Sequence, residues 1–179
     1  RARIEASLVE APGHVGPRSL SLDPPAGTPS LARADALGLA TLRLGSVHPS
    51  TCELDGRLRA EYFIGAISDG VPNLVRRFRP DALPDRPDEP VGGAVVEFRV
   101  VVHRWPRAGD LITVRSGLAG FTDKVFQLVH WVLDAERGDA VASAAGIAVS
   151  FNLKTRKLVP IAEETRAHLQ GMTIAGLAL

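Results

Sequence analysis

The sequence has one cysteine, almost no net charge and no apolar run long enough to cross a bilayer. Cys52 on its own cannot close an intramolecular disulfide and has no Cys-x-x-Cys neighbour for zinc, which points to a reducing compartment. Lysine and arginine number 21 against 20 aspartate and glutamate. The summed field therefore offers no attraction to nucleic acid or to an anionic membrane, and any anionic ligand must be met by local charges. The opening residues, Arg1 to Glu5, lack the apolar stretch of a secretory signal, so a cytoplasmic location is the expectation. His14, His48, His103, His130 and His168 are scattered without an i, i+4 pair, so neither a metal nor another cofactor is implied.

What is present is a chain of 179 residues, 45% hydrophobic, enough for one domain with a real core and an attached segment. Eight glycines and prolines fall between Pro12 and Pro29, too many for a long regular element, and residues 1–37 read as a linker or arm. Residues 38–50 alternate apolar and polar as a half-buried strand does. Leu58, Tyr62, Phe63, Ala66, Ile67, Leu74, Val75 and Phe78 then recur at three- and four-residue steps, which predicts one amphipathic helix kinked at Pro72. Arg76, Arg77 and Arg79 suit the negative end of its dipole.

After a loop from Pro80 to Pro90 rich in proline and aspartate, the pattern is strand throughout, over residues 94–105, 111–118, 124–133 and 140–153. The connections are short and turn-like, so neighbouring strands are antiparallel. The last strand, Ala140-Val-Ala-Ser-Ala-Ala-Gly-Ile-Ala-Val-Ser, carries mostly small side chains and leaves room for a helix to approach its face. The expected domain is α+β, residues 38–165, a curved antiparallel sheet around one long helix, with a tail at 166–179.

Two stretches carry a family resemblance. Val47-His-Pro-Ser-Thr-Cys-Glu-Leu-Asp-Gly-Arg-Leu-Arg-Ala-Glu-Tyr-Phe-Ile-Gly resembles the acidic-x-x-Gly turn that leads into the central helix of 4-hydroxybenzoyl-CoA-type thioesterases. Ser150-Phe-Asn-Leu-Lys-Thr-Arg-Lys is similar to the last core strand and turn of acyl-CoA thioesterases. The order of elements also resembles the hot-dog superfamily over about Gly38 to Ile161, and Gly16-Pro-Arg-Ser-Leu-Ser-Leu resembles the linker of tandem hot-dog proteins, of which this chain looks like the C-terminal half. The resemblance implies thioester hydrolysis, an acyl-CoA or acyl-carrier thioester as substrate, and two units sharing the site as a homodimer or higher hot-dog assembly. Where the family usually has aspartate, this chain has Glu53, which keeps the carboxylate and lengthens its reach by one methylene.

A thioester carbonyl needs a nucleophile or an activated water, and donors aimed at the oxygen that becomes negative. Glu53, just before the helix, is the candidate base or nucleophile, with the backbone at Gly56 and Arg57 as candidate oxyanion donors. The competing reading is an ordinary turn carboxylate. Asp55 is the expected N-cap of the helix. Asp69 is the second candidate catalytic carboxylate, its alternative being an ion-pair partner across a dimer. The acyl chain is expected beside Phe63 and Ile67. Arg156 and Lys157 are candidates for CoA phosphates or for an exposed hairpin end.

Three other readings remain open. Ala66-Ile-Ser-Asp-Gly is one substitution from the nucleophile elbow of α/β-hydrolases, but Ser68 lacks the preceding strand that motif needs. His48 or His130 beside Glu53 would suit a hot-dog dehydratase. The domain could also be a structural unit that supports a catalytic partner. Trp105 and Trp131 are expected to pack.

Overall fold

The computed structural model describes residues 18–25, 27–78 and 90–179. The apolar alternation of the second half becomes four long strands, β2 (Val91–Val102), β3 (Leu111–Phe121), β4 (Val125–Asp134) and β5 (Ala140–Asn152), joined by β1 (Ala40–Ser46). Their order is β1-β3-β4-β5-β2, and every neighbouring pair is antiparallel. The expected sheet is therefore present, with β1 and β2 at its edges.

Because side chains alternate across a strand, each face has its own cover. Ser116, His130, Ala144 and Val100 form one cross-strand row, and Val114, Val132, Ala142 and Val102 the next. Onto this inner face pack α2 (Glu61–Ser68) and α3 (Val71–Phe78). Phe63, Ala66 and Ile67 of α2 share a core with Ile112, Val114, Val132, Ala142 and Ala144, and Leu74 and Phe78 of α3 meet Leu118, Phe126 and Leu128. The small residues of β5 give the helices the close approach that their sequence predicted.

The helix differs from expectation in one respect. It is not one helix from Leu58 to Phe78 kinked at Pro72 but two of eight residues each, parted at Asp69 and Gly70. The cause is a tertiary contact. A Cβ on Gly70 would lie 2.5 Å from Leu42 Cβ and 2.8 Å from the Leu42 carbonyl oxygen, so only glycine lets the break press on β1. Pro72 falls in the first turn of α3, where its missing donor costs nothing.

The packed unit also reaches beyond 38–165. Ser30 caps a short helix, α1 (Leu31–Ala36), by accepting from the Arg33 amide at 3.2 Å, and Pro29 and Ala34 are buried. On the outer face of the sheet Ala34 and Leu39 meet Val129, Trp131, Leu133 and Leu177. Residues 18–23 lie along β2, where Glu97 accepts from the amides of Arg18, Ser19 and Leu20 at 3.0 to 3.1 Å. Arg99 donates to the carbonyls of Ser21, Leu22 and Asp23. These bonds, the Ser19 amide foremost, hold the Glu97 carboxyl below its usual range. At the far end the expected tail folds as α4 (Glu163–Met172), which buries Leu169 against the α3 cluster. Arg79 and the loop that follows it, up to residue 89, lie outside the described residues. No helix among the described residues is long and apolar enough to cross a membrane.

Candidate active site

Between β1 and α2 the chain folds into a small two-stranded stem. Cys52 bridges Leu58, Arg59 N donates to the Thr51 carbonyl at 3.0 Å, and Glu53 N donates to the Arg57 carbonyl at 2.7 Å. Gly56 closes the tip. Its amide donates to the Glu53 carbonyl at 2.9 Å and its φ of +82° is one that a side chain would strain. The stem rests on the loop between β2 and β3: Leu58 N donates to Pro106 O at 2.9 Å, Ala108 N to Gly56 O at 3.0 Å, and Arg107 Nη1 to Asp55 O at 3.0 Å. Leu58, 4% exposed, roots it in the core.

The two carboxylates on this turn have different fates. Asp55 accepts from the Arg57 amide at 3.0 Å and from Arg57 Nε at 2.6 Å, and these bonds hold its carboxyl below the usual value. It is therefore a local turn lock and not the N-cap of α2, which begins six residues later with Ala60 at the cap position. Glu53 is exposed, and its carboxylate has neither an ion pair nor a hydrogen bond among the described residues. The amides of Gly56 and Arg57 are spent inside the turn, which removes them as oxyanion donors. The amides of Ala60 and Glu61, where α2 starts, have no acceptor among the described residues.

The remaining candidates do not gather around Glu53. Asp69 ends α2, about 12 Å of helix away from its start, and is held 3.2 Å from Arg43 Nη1 of the same chain with 72% of its side chain exposed. Phe63 and Ile67 are each 1% exposed, packed under the sheet, and Phe63 meets Trp105 edge to face at 5.6 Å. Among the described residues, the apolar stripe of α2 that carries them is spent on the core. Arg156 and Lys157 sit in an exposed turn after β5, beside the first residue of β2, since Asn152 pairs with Val91. The Glu53 turn rests beyond Val102, the last residue of β2. Twelve extended residues, roughly 40 Å, separate the two ends.

A groove of about 270 Å³ lies on the opposite face of the sheet, between residues 19–25 and the chain's last residues, and is lined by Leu20, Pro24, Val129, Ala145, Ile147 and Leu177. It shares no residue with the Glu53 turn.

Residues 54–169, well over half of the chain, match the family model of the thioesterase-like superfamily. The chain belongs to that superfamily. Among solved structures, this thioesterase-like chain is similar to a provisionally assigned oleoyl thioesterase from Lactobacillus plantarum, with 19% identity and a TM-score of 0.62 over 74% of this chain. It spans about half of that structure, 51%. A Staphylococcus aureus protein in complex with CoA shares 14% identity at a TM-score of 0.63, over 75% of this chain and 87% of that one. The 12:0-ACP thioesterase from Umbellularia californica shares 17% identity at a TM-score of 0.63, over 74% and 53%. At these identities the likeness establishes the hot-dog fold. No curated protein matches the sequence.

Within the thioesterase-like domain the other sequence candidates have structural work. His48 caps the 3-10 turn Pro49–Thr51, its Nδ1 accepting from Ser50 N at 3.2 Å. His130 is 1% exposed beneath the helices, with Nδ1 2.8 Å from Ser116 Oγ, and burial lowers its pKa from 6.5 to about 4. A histidine closed in the core cannot reach a surface carboxylate as a dehydratase pair requires. Ser68 is the exposed last residue of a helix, not a strand-to-helix elbow. Trp131 is buried on the outer face with the Arg33 guanidinium 5.5 Å above it. The sequence reading missed Arg59. Its Nη2 donates at 2.9 Å to both Ser50 O and Tyr62 Oη, and its guanidinium lies 4.7 Å from the Tyr62 ring centroid. The three-residue step from Arg59 to Tyr62 at the helix entrance is the only signal that could have found it.

Proposed function

We propose that this thioesterase-like domain hydrolyses acyl thioesters, carried by CoA or by a carrier protein, with Glu53 as the catalytic carboxylate. One observation carries the reading: Glu53 stands unpaired among the described residues on a closed turn at the approach to α2, while its neighbour Asp55 is locked by Arg57. As a base, Glu53 takes a proton from water, whose oxygen attacks the thioester carbon. As a nucleophile, it attacks that carbon itself and the resulting anhydride is hydrolysed. Either route puts negative charge on the carbonyl oxygen, and the unoccupied amides of Ala60 and Glu61 at the positive end of α2 are suited to hold it. Collapse of the tetrahedral intermediate expels the thiolate.

The site is completed by a second copy. The outer edge of β2 has no strand partner among the described residues, and an open edge of this length invites pairing. Antiparallel pairing of two β2 strands runs them in opposite directions. The second copy's Arg156 and Lys157 then come to the end of the sheet where this chain carries Glu53, and can meet substrate phosphates there. A homodimer in the reducing cytoplasm, the setting suggested by the lone Cys52, fits this arrangement.

The test is hydrolysis of a panel of acyl-CoAs, followed by free thiol. Glu53→Gln is expected to lower kcat by about 10²- to 10⁴-fold with fold and assembly unchanged, and Glu53→Asp to keep most of it. A parent inactive on every chain length would favour a supporting role for the domain.

A further inference from the structure

We propose that Arg59 is a positioning residue that fixes the Glu53 turn relative to the start of α2; the inference rests on the reading of Glu53 given above. The stem that carries Glu53 has two ends. Its tip is held by Gly56 and by the Pro106–Ala108 loop. At its open end, where the chain enters at Thr51 and leaves at Arg59, the side chains of His48 and Thr51 bond only within the 3-10 turn, whereas that of Arg59 crosses from this turn to α2. The Arg59 amide closes the last backbone bond of the stem on Thr51 O at 3.0 Å. Its guanidinium then reaches back to Ser50 O and forward to Tyr62 Oη, both at 2.9 Å, while stacking on the Tyr62 ring. One planar side chain thus joins the 3-10 turn before Glu53 to the first turn of α2, whose free amides face the developing charge in the proposed reaction.

Two features argue for position over simple stability. Arg59 Nε is buried without a hydrogen-bond acceptor among the described residues, its nearest anion being Glu61 Oε1 at 3.6 Å. A buried donor held beyond hydrogen-bond distance of its anion adds less to the fold than a closed bond does, so this Nε contributes little to holding the chain together. The guanidinium plane also lies over the Tyr62 ring while its Nη2 meets both acceptors, and the ammonium of lysine has donors for those acceptors but no plane to lay on the ring.

The test is a double-mutant cycle on acyl-CoA hydrolysis with Arg59→Met, Glu53→Gln and the pair. Arg59→Met is expected to lower kcat about 10- to 100-fold, since a displacement of about an ångström is enough, with little change in KM. Arg59→Lys should recover only part of that loss. The double variant should be no slower than Glu53→Gln alone, because Arg59 acts through Glu53. If Glu53→Gln leaves activity intact, the reading of Glu53 fails and takes the inference with it. If Glu53→Gln is inactive but Arg59→Met is not impaired, or its loss multiplies with that of Glu53→Gln, the inference alone fails. Should Arg59→Met not fold, Tyr62→Phe decides: it keeps the ring and removes one anchor, and its smaller loss of kcat should likewise vanish in the Glu53→Gln background.

Discussion

One candidate carboxylate, Asp69, closes the C-terminal end of α2 and the other, Glu53, lies on the turn that leads into the helix, and the two are handled differently. At the C-terminal end Asp69 stands where the helix dipole is negative, an unfavourable place for an anion, and Arg43 at 3.2 Å offsets that. At the N-terminal approach Glu53 has no ion-pair partner among the described residues, sits on a turn pinned at both ends, and precedes in the chain the Ala60 and Glu61 amides, which have no acceptor among the described residues. Exposure does not separate them, since both face water. What separates them is the local polarity of the helix and the presence of a neutralising partner. A carboxylate already neutralised by an ion pair is a structural element; one without such a partner, on a turn fixed at both ends, is the one the proposed reaction uses.

The comparison can be broken most severely from beneath. If Phe63 is core and not acyl pocket, Phe63→Ala should cost about 3–5 kcal/mol in denaturant unfolding, as burial of a large aromatic residue implies. A small stability loss together with acceptance of longer acyl chains would instead return Phe63 to the site. Next comes His130, under the same helices. Its folded pKa of about 4 lies below the usual 6.5, so between those values the unfolded chain binds a proton that the native one refuses. Stability should fall as pH drops from about 6.5 to 4, by roughly 3 kcal/mol from this group. In His130→Gln that part of the slope should be missing; an unchanged slope would show that other groups set it. The smallest effect belongs to the other end of α2. Asp69→Asn removes an exposed ion pair and should change stability by less than about 1 kcal/mol and leave kcat within about twofold; a larger fall in kcat would erase the contrast between the two ends.

Much of the fold was legible because periodicity reports burial directly: the alternation of Val96 to Val102 and the small residues of Ala140 to Ser150 announced the sheet and the face a helix could approach. The helix break was not legible, because Gly70 answers to Leu42, a contact made only in three dimensions. The reach of the packed unit back to Pro29 was hidden behind a proline-rich composition, since what orders residues 18–23 is a pair of distant side chains, Glu97 and Arg99. In the site, the spacing from Glu53 to Gly56 correctly foretold a tight turn. Asp55 was misassigned as a helix cap because the helix starts later than its apolar pattern does, and Arg57 lies close enough to claim the carboxylate first. Arg59 escaped because one of its two acceptors is a backbone carbonyl, which leaves no mark in a sequence.

The most direct measurement is kcat of the Glu53→Gln and Asp69→Asn proteins side by side on acyl-CoAs, with assembly checked for both. The account predicts that the first loses at least about 100-fold while the second remains close to the parent. Loss in the Asp69 variant with activity retained in the Glu53 variant would contradict it.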